Sequence, residues 1–271
     1  MATLRVTVLG CGSSGGVPRA DGDWGVCDPN EPKNRRTRCG LLLQRWSGAP
    51  GEPAQATTVL IDTPPEVRQQ LAAARCGRLD AVLISHDHAD QTNGFDDIRA
   101  FFLRQRAQIP VLLNDSTAET FMRRFGYAFE AGPGYPAIAH RAAHLTPLVP
   151  ITIAGPGGPL EITPLDQDHG FSRSLGFRVG PLGYSNDLVD MPEVSLAALA
   201  NLDLFIVDAL RDRPHPTHAS VDQALGWIKR LQPKRSVLTN MHIDLDYRAL
   251  QVRLPAGVEP AYDGWAADLE V

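Results

Sequence analysis

The sequence lacks the features of a membrane or secreted protein. Its 271 residues contain no apolar run long enough to cross a lipid bilayer. The segment from Met1 to Leu9 alternates apolar and polar residues and has no long apolar stretch, unlike a signal peptide. We therefore expect a cytoplasmic protein with no membrane partner.

Cysteines are also few, and acidic residues outnumber basic ones. The chain has 26 basic and 31 acidic residues, whereas general binders of polyanions are basic over much of their surface. Nucleic acid is therefore not the expected partner. The four cysteines form no Cys-x-x-Cys pair and are interpreted as free thiols, although Cys27 lies in a loop where it could join a structural metal.

Glycine and proline are concentrated near the start of the chain. The alternating run Leu4 to Leu9 predicts a strand, and residues 10–16 after it contain the pattern G-x-G-x-x-G of dinucleotide-binding proteins. That pattern requires a helix that begins at once and holds a pyrophosphate at its N-terminus. Residues 17–32 predict a long irregular loop instead, and such loops usually lie beside a functional site.

A basic run closes this loop. Arg35, Arg36 and Arg38 are typical either of a solvated surface or of contacts to a phosphate group, because guanidinium groups bind phosphate oxygens in pairs. We keep the three arginines as candidate substrate ligands.

Strands and helices alternate in the rest of the chain, which predicts the α/β class. Thr63 and Glu66 predict one helix start and Ser220 and Gln223 another, since each pair can form a capping box. No repeat, linker or low-complexity tract interrupts the pattern, so we expect one domain over residues 1–271. Strands are predicted at 41–43, 57–61, 81–84, 109–113, 160–165, 175–179, 204–207 and 236–239, and further helices at 95–106 and 116–125.

Residues that can bind metals follow several predicted strands. An α/β scaffold gathers such strand ends into one cleft. His86, His88 and His169 could form the three-histidine set that leaves zinc a fourth position for water. Asp90 and Asp187 could bind a second metal through oxygen. Hydrolysis is the reaction that such a centre suits.

Two further histidines lie before a predicted helix. His215 and His218 are interpreted either as ordinary loop residues or as groups that contact substrate and donate a proton. His140 and His144 lie in a stretch without a clear pattern, and we assign them no role.

The sequence resembles the metallo-β-lactamase superfamily. The hallmark His-x-His-x-Asp-His after a strand is matched by His86, His88, Asp90 and, in the last place, Gln91. Within the superfamily, the sequence is most similar to the phosphonate-pathway cyclic phosphate phosphodiesterases. The resemblance implies a four-layer αβ/βα sandwich with a metal cleft at one edge of two sheets. Its segments are 8–18, 85–91, 94–99, 168–170, 187, 208–218 and 238–242.

The resemblance also implies roles for single residues. It places the first metal on the three histidines, and His218 corresponds to the general acid that protonates the leaving alkoxide. The second metal would be held by Asp90, Gln91 and Asn240, with Asp187 bridging the two ions.

Gln91 and Asn240 depart from the family pattern, since active relatives have histidine at both positions. An amide oxygen is a harder and weaker ligand than imidazole, and it suits manganese or magnesium better than zinc. We therefore predict zinc at the first site and a second site that binds metal poorly, or holds manganese.

The leading hypothesis for the function is hydrolysis of a small phosphodiester, cyclic phosphates included, with reduced activity. The alternative is a non-catalytic or weakly active binding protein on the same fold, such as the accessory proteins of quinone-cofactor biosynthesis. A nuclease is a third hypothesis, which the acidic composition disfavours. A homodimer is compatible with the sequence.

Overall fold

The computed structural model describes all 271 residues. None of its helices combines the length and the apolarity that a membrane span requires. The strands are β1 (Thr3–Gly10), β2 (Gly40–Trp46), β3 (Thr57–Ile61), β4 (Ala81–Leu83), β5 (Ile109–Leu113), β6 (Ala139–His144), β7 (Ile151–Ile153), β8 (Leu160–Asp168), β9 (Arg173–Val179), β10 (Leu182–Ser185), β11 (Leu204–Asp208), β12 (Arg235–Thr239), β13 (Val258–Pro260) and β14 (Trp265–Glu270). The helices are α1 (Val67–Ala73), α2 (Ala89–Thr92), α3 (Arg99–Gln105), α4 (Asp115–Phe125), α5 (Glu193–Ala198), α6 (Val221–Leu231) and α7 (Tyr247–Arg253).

The strands form two seven-stranded sheets. The first has the order β14-β1-β2-β3-β4-β5-β6 and the second the order β13-β12-β11-β10-β9-β8-β7. Strands β3 to β6 run parallel to one another in the first sheet, and β10 to β13 do so in the second. Because parallel strands end at the same edge of a sheet, the residues that follow them are brought together.

Two apolar cores separate the layers. Leu43 of β2 and Phe177 of β9 lie in the larger core, which joins the two sheets. Leu42 points to the opposite face of β2 and packs in a second core with α1, α3 and α4. Burial of both faces explains why β2 reads as a continuous apolar run. With α6 packed against β11 and β12, the fold is the predicted four-layer αβ/βα sandwich.

No helix follows the glycine-rich segment after β1. The only helical turn between β1 and β2 is the 3₁₀ turn Pro32–Asn34. Gly12 lies so close to the neighbouring chain that a Cβ there would meet the Arg36 carbonyl oxygen at 2.8 Å. The glycine is therefore needed for close packing of the loop beside the site.

The start of α1 differs from the prediction. Thr63 does not cap this helix, because its amide and hydroxyl donate instead to the carbonyl oxygens of Gln91 and Thr92, at 2.7 and 3.4 Å. Helix α1 therefore begins only at Val67. The bonds from Thr63 connect the end of β3 to α2, the short helix that follows the first two histidines.

Two other predicted helices have different outcomes. The helix predicted at 95–106 is divided into a 3₁₀ turn, Phe95–Ile98, and α3. The cap of α6 is confirmed, since Ser220 and Gln223 form both bonds of a capping box.

Candidate metal centre

The three candidate zinc histidines lie together at the edge of the two sheets. His86 and His88 follow β4, and His169 follows β8. One side-chain nitrogen from each lies within 4.8 Å of the others, and His88 Nδ1 and His169 Nε2 are 3.2 Å apart. The fold thus brings together residues that are 81 positions apart in the chain.

Hydrogen bonds fix which nitrogen of His86 carries the proton. The Ser85 hydroxyl donates to Asp62 Oδ2 at 2.8 Å, so its oxygen is free to accept from His86 Nδ1 at 3.0 Å. His86 Nε2 then carries a lone pair. This atom is buried and has no hydrogen-bond partner, so its lone pair is available to bind a cation.

His169 is oriented in the same way. Its Nδ1 donates to the Thr217 carbonyl oxygen at 2.7 Å, which leaves the Nε2 lone pair facing His88. Burial, followed by the charge of His218, lowers the pKa of His169 to about 4, and burial lowers the pKa of His86 well below its ordinary value. Two neutral imidazoles, His86 and His169, therefore present Nε2 lone pairs in one cluster with His88, and this donor set fits a divalent metal ion.

Arg124 holds the segment that carries His88. It extends from the last turn of α4 and forms an ion pair with Asp87. The same guanidinium donates to the Asp87 carbonyl oxygen, to Thr92 Oγ1 and to Asn93 Oδ1, at 3.2, 3.0 and 3.2 Å. Since Thr92 Oγ1 also donates to the His88 carbonyl at 2.7 Å, Arg124 fixes the backbone on both sides of this histidine.

We expect the substitution Arg124→Ala to weaken zinc binding roughly tenfold or more, because groups that orient metal ligands typically contribute that much. Competition with a chromogenic chelator measures the affinity. Arg123→Ala is the matched control, since Arg123 lies on the same helix and pairs only with Glu119. Equal zinc affinity in the two variants would show that Arg124 does not position the ligands.

Asp187 forms a second candidate ligand group with His169 and His218, whose ligand atoms lie within 4.8 Å of one another, but side-chain amides surround its carboxylate. The Asp187 carboxylate is buried and accepts hydrogen bonds from three amides: Gln91 Nε2 at 2.8 Å, Asn186 Nδ2 at 2.6 Å and Asn240 Nδ2 at 3.3 Å. These amides present N–H donors to the carboxylate where metal ligands would present lone pairs. Asp90 is 3.5 Å from Gln91 Nε2 and is not joined to this network by a closer contact.

His218 forms a pair with Asp208 beside this network. Its Nδ1 lies 2.9 Å from Asp208 Oδ2 and 3.6 Å from Asp187 Oδ1. Burial lowers the pKa of His218, but the carboxylates of Asp208 and Asp187 outweigh that effect and raise it to about 9. The Asn240 Nδ2 atom lies 3.0 Å from His218 Nδ1, closer than its 3.3 Å contact with Asp187 Oδ1, so Asn240 joins the two side chains.

The three candidate substrate arginines lie in different environments. Arg36 is buried and bonded to the His242 carbonyl and to Asn34, so it stabilises the loop and is not available to substrate. Arg35 is exposed and lies over the Trp24 ring. Of the three candidate arginines, only Arg38 borders the cavity that Asp90 also lines.

His215 lies beside His218, with ring centroids 5.3 Å apart, but its Nδ1 is bonded to Thr217. This contact orders the turn before α6. Cys27 does not meet a second cysteine, and its thiol donates to the carbonyl oxygens of Ile243 and Leu245.

Sequence reasoning missed several residues of the site. Asp62 and Ser85 orient His86, Arg124 anchors the loop and Arg19 borders the cavity next to Arg38. Ser85 and Asp62 stand at strand ends, which was a usable signal. Arg124 lies within helix α4, and the sequence pattern of that helix does not indicate a contact with the metal site.

Comparison with known proteins agrees with this geometry. A family model described as a β-lactamase superfamily domain matches residues 57–243. The crystal structure of a new diphosphatase from the PhnP family is 31% identical, with a TM-score of 0.84, and the match covers 99% of this chain and 98% of that one. Zinc-bound PqqB from Methylobacterium extorquens has a TM-score of 0.70 at 16% identity over 98% of this chain and 100% of that one, a likeness that shows the fold alone.

A curated relative is an octanoyltransferase of Porphyromonas gingivalis (strain ATCC BAA-308 / W83), 29% identical over 272 residues. The match covers 98% of this chain and 52% of that protein, so the chain spans about half the length of that relative. The family model covers more than half of the chain, and the diphosphatase is similar over nearly its whole length. The chain therefore belongs to the metallo-β-lactamase superfamily and, within it, to the PhnP family.

Proposed function

We propose that the protein is a phosphodiesterase that hydrolyses a small phosphodiester at one zinc ion held by His86, His88 and His169. The observation that carries the proposal is the convergence of ligand nitrogens of His86, His88 and His169 within 4.8 Å of one another, with the His218 ring beside His169. Zinc bound to this set would supply a water that ionises near neutral pH and would stabilise negative charge on the phosphoryl group.

The protein's own side chains have separate tasks in this proposal. His218 donates its proton to the leaving oxygen, and Asp208 holds the ring in position through Nδ1. Ser85 and Asp62 keep the His86 lone pair directed at the zinc. Asp90, which borders the cavity that it shares with Arg38, would accept a proton from the attacking water.

The diphosphatase of the PhnP family supports a phosphate ester as the substrate. A polar cavity of about 390 Å³ adjoins His86 and His88 and is lined by hydroxyl groups, which suits a small polar molecule. The zinc-bound site would act without the two-metal clamp that supports both the attacking and the leaving oxygen, so we propose a low turnover.

We expect the zinc-loaded protein to hydrolyse bis(p-nitrophenyl) phosphate, and removal of zinc with a chelator to abolish the release of p-nitrophenol. Zinc added back should restore the activity. The same measurement with p-nitrophenyl acetate is the control for non-specific ester hydrolysis. Turnover that persists after complete removal of metal would contradict the proposal.

The second candidate function is binding without catalysis. The observation that favours it is the amide network around Asp187, to which Gln91 and Asn240 contribute in place of the histidines of active relatives. A protein that retains zinc and binds phosphate esters but never turns over the diester would have this function.

A further inference from the structure

One exposed phenylalanine lies beside the histidine cluster. Phe171 is 94% exposed, whereas the other phenylalanines of the chain are buried or partly buried. It lies two residues after the zinc ligand His169, in the loop that joins β8 to β9. We infer that the Phe171 ring contacts an aromatic group on one arm of the substrate. The inference rests on the proposed function, because it names the substrate class of the same site.

Hydrogen bonds hold the loop that carries Phe171. His169 N–H donates to the Ser172 carbonyl oxygen at 3.0 Å, and Gly170 N–H donates to Asp168 Oδ1 at 2.8 Å. The first bond pairs the two residues on either side of Gly170 and Phe171, so the loop is a tight turn. The backbone of Phe171 is therefore fixed in place, and a ligand need not order it.

The same turn packs against the segment that carries the proposed proton donor. Gly170 has φ 72°, and a Cβ there would meet the Pro216 carbonyl oxygen at 2.6 Å. The rings of His169 and His218 are 4.8 Å apart. Phe171 therefore lies on a turn that is held between the zinc ligand and the segment of the proton donor.

The other side of the turn adjoins the cavity of about 390 Å³ beside His86 and His88. Ser172, the next residue after Phe171, lines this cavity, and none of the residues that line it is apolar. Phe171 thus supplies an apolar surface that the cavity itself lacks. A substrate arm that leaves the cavity on this side meets the phenylalanine.

The charged groups of the turn already have partners. Arg173 forms ion pairs with Asp166 and Asp168, and Asp168 also accepts the bond from Gly170. The Phe171 ring is left with water as its neighbour. An exposed aromatic ring gains free energy when an apolar group covers it, and a second aromatic ring adds a stacking contribution. The turn therefore favours a flat aromatic arm over a charged or a small aliphatic one.

Three phosphonates test the inference without bond cleavage: benzylphosphonate, cyclohexylmethylphosphonate and methylphosphonate. Each presents the same phosphonate group to the zinc and differs in the attached group. By calorimetry, the zinc-loaded wild type should bind benzylphosphonate about tenfold more tightly than methylphosphonate and about threefold more tightly than cyclohexylmethylphosphonate. Phe171→Ala should lose both preferences, and Phe171→Tyr should keep them.

Val252→Ala is the matched control, because Val252 is 88% exposed on α7 and lines neither the cavity beside His86 nor the cavity beside Asp90. It should keep both preferences. Equal affinity of the wild type for benzylphosphonate and either of the other two compounds would overturn the inference, and so would a preference that survives in Phe171→Ala.

A kinetic measurement separates failure of the aromatic contact from failure of the proposed function. With bis(p-nitrophenyl) phosphate, Phe171→Ala should raise KM about tenfold and change kcat far less, because the contact is the same before and during bond cleavage. Phe171→Tyr should restore the wild-type KM. Selective binding of benzylphosphonate without turnover of the diester would retain the aromatic contact and reject the hydrolase. Turnover without selective binding, and with an unchanged KM in Phe171→Ala, would retain the hydrolase and reject the contact.

Discussion

The substitution His169→Ala is expected to remove zinc from the protein and to lower phosphodiesterase turnover by roughly a thousandfold or more. His169 supplies one of the three lone pairs, and the other two alone cannot hold zinc at this site in its usual geometry. The variant also loses the bond from His169 Nδ1 to the Thr217 carbonyl. Metal analysis and a diester assay measure the two effects.

His140→Ala is the control for this prediction, because His140 is an exposed residue of β6 and is not a member of the histidine cluster. It should retain zinc and full activity. Circular dichroism establishes that both variants are folded. A folded His169→Ala protein with wild-type zinc content and turnover would remove the histidine cluster from the mechanism.

The double substitution Gln91→His, Asn240→His is expected to create a second zinc site and to raise turnover about tenfold or more. Imidazole lone pairs would replace two of the three amides that now donate to Asp187, and the carboxylate would be free to bridge two ions. Asn240 has φ 61°, a left-handed conformation that histidine adopts more readily than most residues. The backbone can therefore accept the change.

The two single variants are the matched controls for the double variant. Each keeps one amide bonded to Asp187, so neither should bind the second zinc as tightly as the double variant does. Metal analysis after gel filtration gives the stoichiometry. A double variant that still holds one zinc per chain would mean that Gln91 and Asn240 do not decide the number of metals.

Local sequence patterns predicted those parts of the site that follow strands. His86 and His88 after β4 and Asp187 after β10 were expected together, and the fold places them together because the strands end at one edge. The α/β class and the cap of α6 could also be predicted, because both depend on short local sequence patterns. The roles of these residues in binding metal stay predictions.

Features that depend on distant parts of the chain could not be predicted. The local sequence of an arginine run does not distinguish exposed arginines from buried ones. The burial of Arg36 against the His242 carbonyl could therefore not be predicted. Thr63 has the pattern of a cap, but its bonds go to residues that are 28 and 29 positions away. Strand β6 was missed because five of its six residues are exposed and its sequence has no apolar alternation.

The number of metal ions in the wild-type chain tests the central claim most directly. The measurement is anomalous scattering from crystals of protein purified with zinc and manganese present and then desalted. We predict one zinc per chain, bound to His86, His88 and His169, and no metal beside Asp187, where three amides satisfy the carboxylate. Two tightly bound ions, with Gln91 and Asn240 touching the second, would contradict the account.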